Sequence, residues 1–109
     1  MKYIRTKDGI FDETEHRHTI KNGKVSIMGI FCEFKQADTI EELCDGYVIE
    51  HPINAFKFFY NKEEMQKYLL RTCLRMFTFN ELNIYALIKT DKGLIYVAKM
   101  NEKGELELL

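Results

Sequence analysis

The sequence predicts an α+β domain in which antiparallel β hairpins and a meander pack with one short and one long helix. Three observations carry this. Charged turns ending in glycine recur, as in Lys7-Asp8-Gly9, Asp91-Lys92-Gly93 and Glu102-Lys103-Gly104. Apolar and polar residues alternate on either side of these turns, the period of a half-buried strand. Between Asn61 and Phe77 the apolar spacing changes to three and four, the period of a helix.

The 109 residues are 46% hydrophobic and 30% charged, values that place the chain among globular proteins rather than disordered ones. The length suits a single domain spanning residues 1–109. The formal net charge is −1, which excludes an overall basic nucleic-acid binder and an overall acidic nucleic-acid mimic but leaves room for local patches. The opening Met1-Lys2-Tyr3-Ile4-Arg5 has no apolar stretch behind it and does not read as a secretory leader. No window approaches the roughly 18 uninterrupted apolar residues of a membrane span. Cys32, Cys44 and Cys73 are odd in number and widely spaced, the pattern of reduced core thiols, so a cytoplasmic protein is expected.

The elements follow from the turns. Lys2–Thr6 and Gly9–Glu13 form a first hairpin. Thr14–Ile20 turns at Asn22-Gly23, a pair suited to a two-residue type I′ loop, and returns as Val25–Phe34. That loop sets Ile20 opposite Val25 and His18 opposite Ile27. Asp38 to Leu43 reads as a short helix capped by Asp38 or Thr39, with Glu41 and Glu42 in its first turn and Gly46 at its end. Tyr47–Glu50 is a strand stopped by His51-Pro52. Leu82–Lys89, Leu94–Met100 and Glu105–Leu109 form a three-stranded meander. Leu82, Ile84, Ala86 and Ile88 share one face there, and Asn83, Tyr85, Leu87 and Lys89 the other.

The long helix is expected to start at Asn61, an N-cap residue, and to run to about Phe77. Met65, Tyr68, Leu69, Cys73 and Met76 form its apolar stripe, and Leu70, Leu74 and Phe77 widen it. One sheet face cannot cover so wide a stripe, so the helix is either sandwiched within the domain or part of an interface. Lys67, Arg71 and Arg75, spaced by four, form the remaining basic strip. Three cations spread over roughly 12 Å can meet phosphates, although Glu63 stands at i−4 to Lys67 and suits an ordinary helical pair.

Phe56, Lys57, Phe58, Phe59 and Tyr60 form the most aromatic stretch, expected on the connection before the long helix. These rings either plug the core or project as binding anchors. With Leu70 and Leu74, they are the candidate partner-binding residues: Phe56, Phe58, Phe59, Tyr60, Leu70 and Leu74. Other constellations are thinner. His16 and His18 share one face of a strand about 7 Å apart, but their hairpin partners Ile27 and Gly29 supply no further zinc ligand. They read as partly exposed strand histidines. His51 reads as a loop histidine, with Cys44 the nearest thiol in sequence. Asp12, Glu13, Glu15, Glu41 and Glu42 read as solvated surface. No phosphate loop, nucleophile elbow, Cys-x-x-Cys, His-Glu-x-x-His or calcium loop occurs, so no cofactor, metal or catalytic residue is nominated and a non-enzymatic protein is expected.

Three segments, Lys2–Ile10, Gln36–Asp45 and Lys92–Leu109, together resemble a group of small uncharacterised proteins carried by phages and prophages of low-GC Gram-positive bacteria. The likeness covers the two ends and the middle of the chain. Tyr47 to Asn83, with the aromatic run and the long helix, departs from it. The resemblance transfers no catalytic residue. It implies a phage-encoded protein acting by stoichiometric binding to a bacterial host protein, in the manner of host-defence inhibitors such as anti-CRISPR proteins. A homodimer is a second expectation. Nucleic-acid binding through Lys67, Arg71 and Arg75 is the alternative, and a small enzyme or ligand-binding module using His16, His18 or His51 and a virion or assembly role complete the field.

Overall fold

The computed structural model describes residues 3–12, 19–21, 24–27, 30–52, 56–76, 78 and 81–109. The strands are β1 (Tyr3–Thr6), β2 (Gly9–Asp12), β3 (Thr19–Lys21), β4 (Lys24–Ile27), β5 (Ile30–Glu33), β6 (Lys35–Ala37), β7 (Gly46–Glu50), β8 (Phe56–Phe59), β9 (Asn83–Thr90), β10 (Gly93–Met100) and β11 (Leu106–Leu108). They form three antiparallel sheets, ordered β2-β1-β6, β3-β4-β5 and β11-β10-β9-β7-β8. The fold is α+β, as the turns and alternation predict. No helix among the described residues is long and apolar enough to cross a membrane.

The glycine-ended turns behave as read: Gly9, Gly93 and Gly104 all take positive φ, which a Cβ would strain. Ile20 pairs with Val25 as expected. His16, His18 and the Asn22-Gly23 turn lie outside the described residues. The expected single return strand Val25–Phe34 is two strands, β4 and β5, paired Ser26 to Phe31 and Ile27 to Ile30. One long strand beside the three-residue β3 would leave much of its backbone without ladder partners; folding back supplies them.

The expected short helix is a single capped turn. The Thr39 hydroxyl accepts from the Glu42 N–H and the Glu42 carboxylate accepts from the Thr39 N–H, both at 3.3 Å, and the Leu43 and Cys44 N–H groups meet the Ile40 carbonyl at 3.0 Å. This is a capping box with almost no helix behind it. Gly46 does not terminate a helix; it opens β7. The helix stops growing because Asp45 is held elsewhere.

Asp45 ties the small β2-β1-β6 sheet to the large one. Arg5 reaches it with two parallel bonds of 2.9 and 2.7 Å and also donates to the Leu43 carbonyl at 2.6 Å. The Lys89 N–H donates to the same carboxylate at 2.7 Å. These bonds, the Arg5 guanidinium first, hold the Asp45 carboxyl below the usual carboxylate range against a smaller opposing effect of burial. A depressed folded-state pKa stabilises the fold fully above the unfolded value near 4, and the contribution is lost as pH falls through the lower folded value. Asp45→Asn is therefore expected to cost roughly 1–2 kcal/mol at pH 7, the low end for charged bonds because both side chains retain water contact. The gap between the variant and the parent should narrow as pH falls below the unfolded value near 4 and close below the lower folded value, as read by urea midpoints across pH.

The long helix begins where the sequence places it. Asn61 accepts from the Glu64 N–H at 2.8 Å and caps α1 (Lys62–Tyr68), which continues through a π-helical turn, Leu69–Cys73, into a last α-helical turn, Leu74–Met76. Lys62 also reaches the Glu41 carboxylate at 3.3 Å, fastening the helix start to the capped turn. In an α-helix, positions four apart drift by about 40°. The wider π turn reduces that drift, so Met65, Leu69 and Cys73 stay on one line facing the sheet, at 0, 7 and 1% exposure. They pack with Tyr47, Ile49, Phe59, Ile84, Ala86, Ile88, Val97, Ala98 and Met100, and Ile10 closes the core from the small sheet.

Candidate functional site

The large sheet extends beyond the expected meander. β9 pairs with β7 as well as β10, with Val48 opposite Tyr85 and Gly46 opposite Leu87. β8 pairs with the other side of β7, with Val48 opposite Phe58 and Glu50 opposite Phe56. The aromatic run is thus an edge strand and not a connection. Strand alternation resolves its rings: Phe56 and Phe58 point to one face of the sheet, Lys57 and Phe59 to the other.

The inner face carries the core and the helix. The outer face is the unexpected one. Across it lie Phe56 and Phe58 of β8, Val48 and Glu50 of β7, Tyr85, Leu87 and Lys89 of β9, and Leu94, Tyr96 and Lys99 of β10, placed by the register. Leu87 and Val48 are buried at its centre beneath the rings. Tyr85 and Tyr96 stack at 4.7 Å and 23°. Phe58 meets Tyr60 edge to face at 5.0 Å. Lys89 places its Nζ 5.3 Å over the Tyr60 ring, and Lys99 its Nζ 5.9 Å over that of Tyr85. The Tyr96 hydroxyl donates to Glu50 at 3.2 Å; burial first, then this bond, pushes its pKa up, so it stays a neutral donor. Phe56, Tyr60 and Leu94 remain 64, 69 and 54% exposed.

The rings are held in place. The Phe58 ring lies over Gly46, where a Cβ would sit 2.7 Å from its Cζ and 2.7 Å from the Phe59 carbonyl oxygen. Glycine at that position lets Phe58 lie flat on the strand and support Tyr60. The outer face is therefore a preordered aromatic platform with two cations and one carboxylate among its rings.

The sequence-nominated residues divide. Phe56, Phe58 and Tyr60 belong to the platform. Phe59 does not: it is buried, with its ring 5.3 Å from that of Tyr68, and it serves the core. Leu70 and Leu74 are exposed, but on the outer side of a helix that packs against the opposite sheet face. They cannot join Phe58 in one surface. Lys67, Arg71 and Arg75 are all exposed on that helix. The expected Glu63 to Lys67 pair is not formed; the ion pairs among the described residues are Arg5 with Asp45 and Lys62 with Glu41. Tyr85, Lys89, Leu94, Tyr96 and Lys99 were not nominated. The signal in the sequence for Tyr85 and Lys89 is the face they share with Leu87, opposite Ile84, Ala86 and Ile88; Leu94, Tyr96 and Lys99 join it only through the β9–β10 register.

A second constellation gathers around the π turn. His51 Nε2 lies 3.5 Å from the Tyr68 hydroxyl and 4.0 Å from Cys73 Sγ, so the thiol beside the histidine is Cys73 rather than Cys44. Cys73 is buried, and burial pushes its thiol up, away from the thiolate that nucleophilic chemistry needs. Cys44 is half-buried, donates to the Glu41 carbonyl at 3.6 Å, and is likewise raised chiefly by burial. Asp12, expected on the surface, is buried on the small sheet. Among the described residues no group of three or more His, Cys, Asp or Glu is placed to hold a metal ion.

Comparison with protein families, curated proteins and solved structures finds no match to this chain.

Proposed function

We propose that this chain is a phage-encoded binding protein that acts stoichiometrically on a bacterial host protein, as host-defence inhibitors do, and that the outer face of the five-stranded sheet is its binding surface. The observation that carries the reading is the platform itself: Phe56, Phe58, Tyr60, Tyr85 and Tyr96 on one sheet face, three of them strongly exposed or at its rim, over the buried Val48 and Leu87. Rigid aromatic rings with hydroxyl handles and few charges are the residues that dominate protein interfaces. Lys89 and Lys99 are balanced by Glu50 and, across from Lys99, Glu107, which suits a protein surface better than a phosphate backbone.

The test is capture from host cells with and without a defence system expressed, using the intact chain and its Leu94→Ser/Tyr96→Ser variant. The parent is expected to form a defined complex with one host protein. The variant is expected to bind at least about 30-fold more weakly while keeping its unfolding midpoint near the parent's. Leu94→Ser alone, on an exposed side chain, provides the same readout should the double variant lose stability. Equal capture by parent and variants would remove the platform from the interface. Retention of nucleic acid that vanishes with salt and with Lys67→Gln/Arg71→Gln/Arg75→Gln would overturn the reading in favour of the helix strip.

A further inference from the structure

The edge strand β8 has a second property, independent of which protein the platform meets. The Phe59 carbonyl oxygen lies against Gly46, so it points into the sheet toward β7. Tyr47 and Phe59 are therefore a hydrogen-bonded pair of the antiparallel ladder. In such a ladder hydrogen-bonded and non-hydrogen-bonded pairs alternate. The Lys57 backbone consequently faces β7 as well, and the N–H and C=O groups of Phe56 and Phe58 face outward from the sheet. Among the described residues no strand pairs with that side, since β8 ends the sheet order. An open edge with outward backbone groups is a template for another strand.

The strand added is selected by the sequence of β8 itself. We propose that β8 pairs with β8 of a second copy of this chain, antiparallel and centred on Phe58, joining two five-stranded sheets into one ten-stranded sheet. Antiparallel partners project to the same face, so only registers that pair residues of equal parity preserve the inner and outer faces. Two central registers do so. Centring on Lys57 sets the two Lys57 side chains directly opposite one another, like charges at the closest cross-strand position, which is unfavourable. Centring on Phe58 sets Phe58 opposite its counterpart, Phe56 opposite Tyr60 of the second copy, and Lys57 opposite Phe59. That register matches outward donors with outward acceptors. It also places the two most exposed rings of the strand region, Phe56 at 64% and Tyr60 at 69%, against each other. The twofold axis closes the assembly, because each β8 edge is consumed once. Both outer faces then lie on the same side, so the dimer presents two aromatic platforms side by side.

The test uses the intact chain. Sedimentation equilibrium is expected to show a dimer, and the Phe56→Cys/Tyr60→Cys variant is expected to form a covalent dimer on mild oxidation. Phe56 and Tyr60 stand too far apart along one strand to bridge within a chain, so the link must be between copies. Neither Phe56→Cys nor Tyr60→Cys alone should crosslink, because position 56 meets 60 and not itself. A monomer at every concentration reachable would overturn the proposal. So would a dimer in which the double variant fails to crosslink, or in which Phe56→Cys alone crosslinks as readily as the pair. Because Leu94 and Tyr96 lie three strands from β8, loss of host-protein capture in their variant with an unchanged dimer separates failure at the platform from failure at the edge.

Discussion

Gly46→Ala is expected to lower stability by roughly 2–3 kcal/mol, a large effect for one methyl group. The added carbon would sit 2.7 Å from two atoms of different character. One is Cζ of the Phe58 ring, which can swing away at the expense of its contact with Tyr60. The other is the Phe59 carbonyl oxygen, fixed by the β7–β8 ladder, so relief requires the strands to part. For a chain of this size the unfolding midpoint should fall by roughly 10–20 °C. The double variant Gly46→Ala/Phe58→Ala relieves only the ring clash. It should therefore remain at least as unstable as Gly46→Ala. Full recovery in the double variant would show that the ring, and not the strand backbone, sets the requirement for glycine. Platform and fold are coupled here, since the residue that admits Phe58 to the outer face also sets the spacing of β7 and β8.

Met65→Ala is expected to cost roughly 2–5 kcal/mol, whereas Leu70→Ala should change stability by less than about 0.5 kcal/mol. Met65 is fully enclosed between the helix and the sheet, and its loss leaves a cavity that the packed neighbours close only in part. Leu70 is 66% exposed, so truncation removes little buried area. Urea unfolding of both variants reads the contrast directly. Comparable losses at the two positions would mean that the helix is rotated from the orientation the π turn gives it, or that a second surface covers Leu70. The contrast also answers the question raised by the helix's wide apolar stripe. The stripe divides into an enclosed line, Met65, Leu69 and Cys73, and an open pair, Leu70 and Leu74, and the turn at Leu69–Cys73 keeps the two lines apart.

The platform shows how far strand periodicity can be read. Leu82, Ile84, Ala86 and Ile88 are legible in the sequence as one face, and the last three form the core side of β9. The same alternation places Tyr85, Leu87 and Lys89 on the opposite side, and nothing within the strand says what lies against them. In the structure Leu87 is 2% exposed. It is covered because β7 and β8 join that sheet and bring Val48 and Phe58 alongside. Cross-strand neighbours, not the strand's own sequence, make this face an aromatic one. Phe59 illustrates the converse. It was grouped with its neighbouring rings by adjacency, but alternation on an edge strand sends it to the core.

What the sequence determined alone was local. Gly9, Gly93 and Gly104 terminate turns because their backbone angles exclude a Cβ, Asn61 caps the helix because its side chain meets a free N–H three residues on, and alternation sets the faces of β9. These are interactions between residues a few positions apart, and the chain carries them wherever the rest of it goes. Tertiary structure decided the pairing of β9 with β7, the edge position of β8, the clamp of Arg5 on Asp45, and the close approach that makes Gly46 necessary. Each joins segments far apart in the chain, and many pairings satisfy the same local pattern. Only the closure of one core around Met65, Ile49 and Ile84 selects among them, because burial of those side chains is complete in one arrangement of strands.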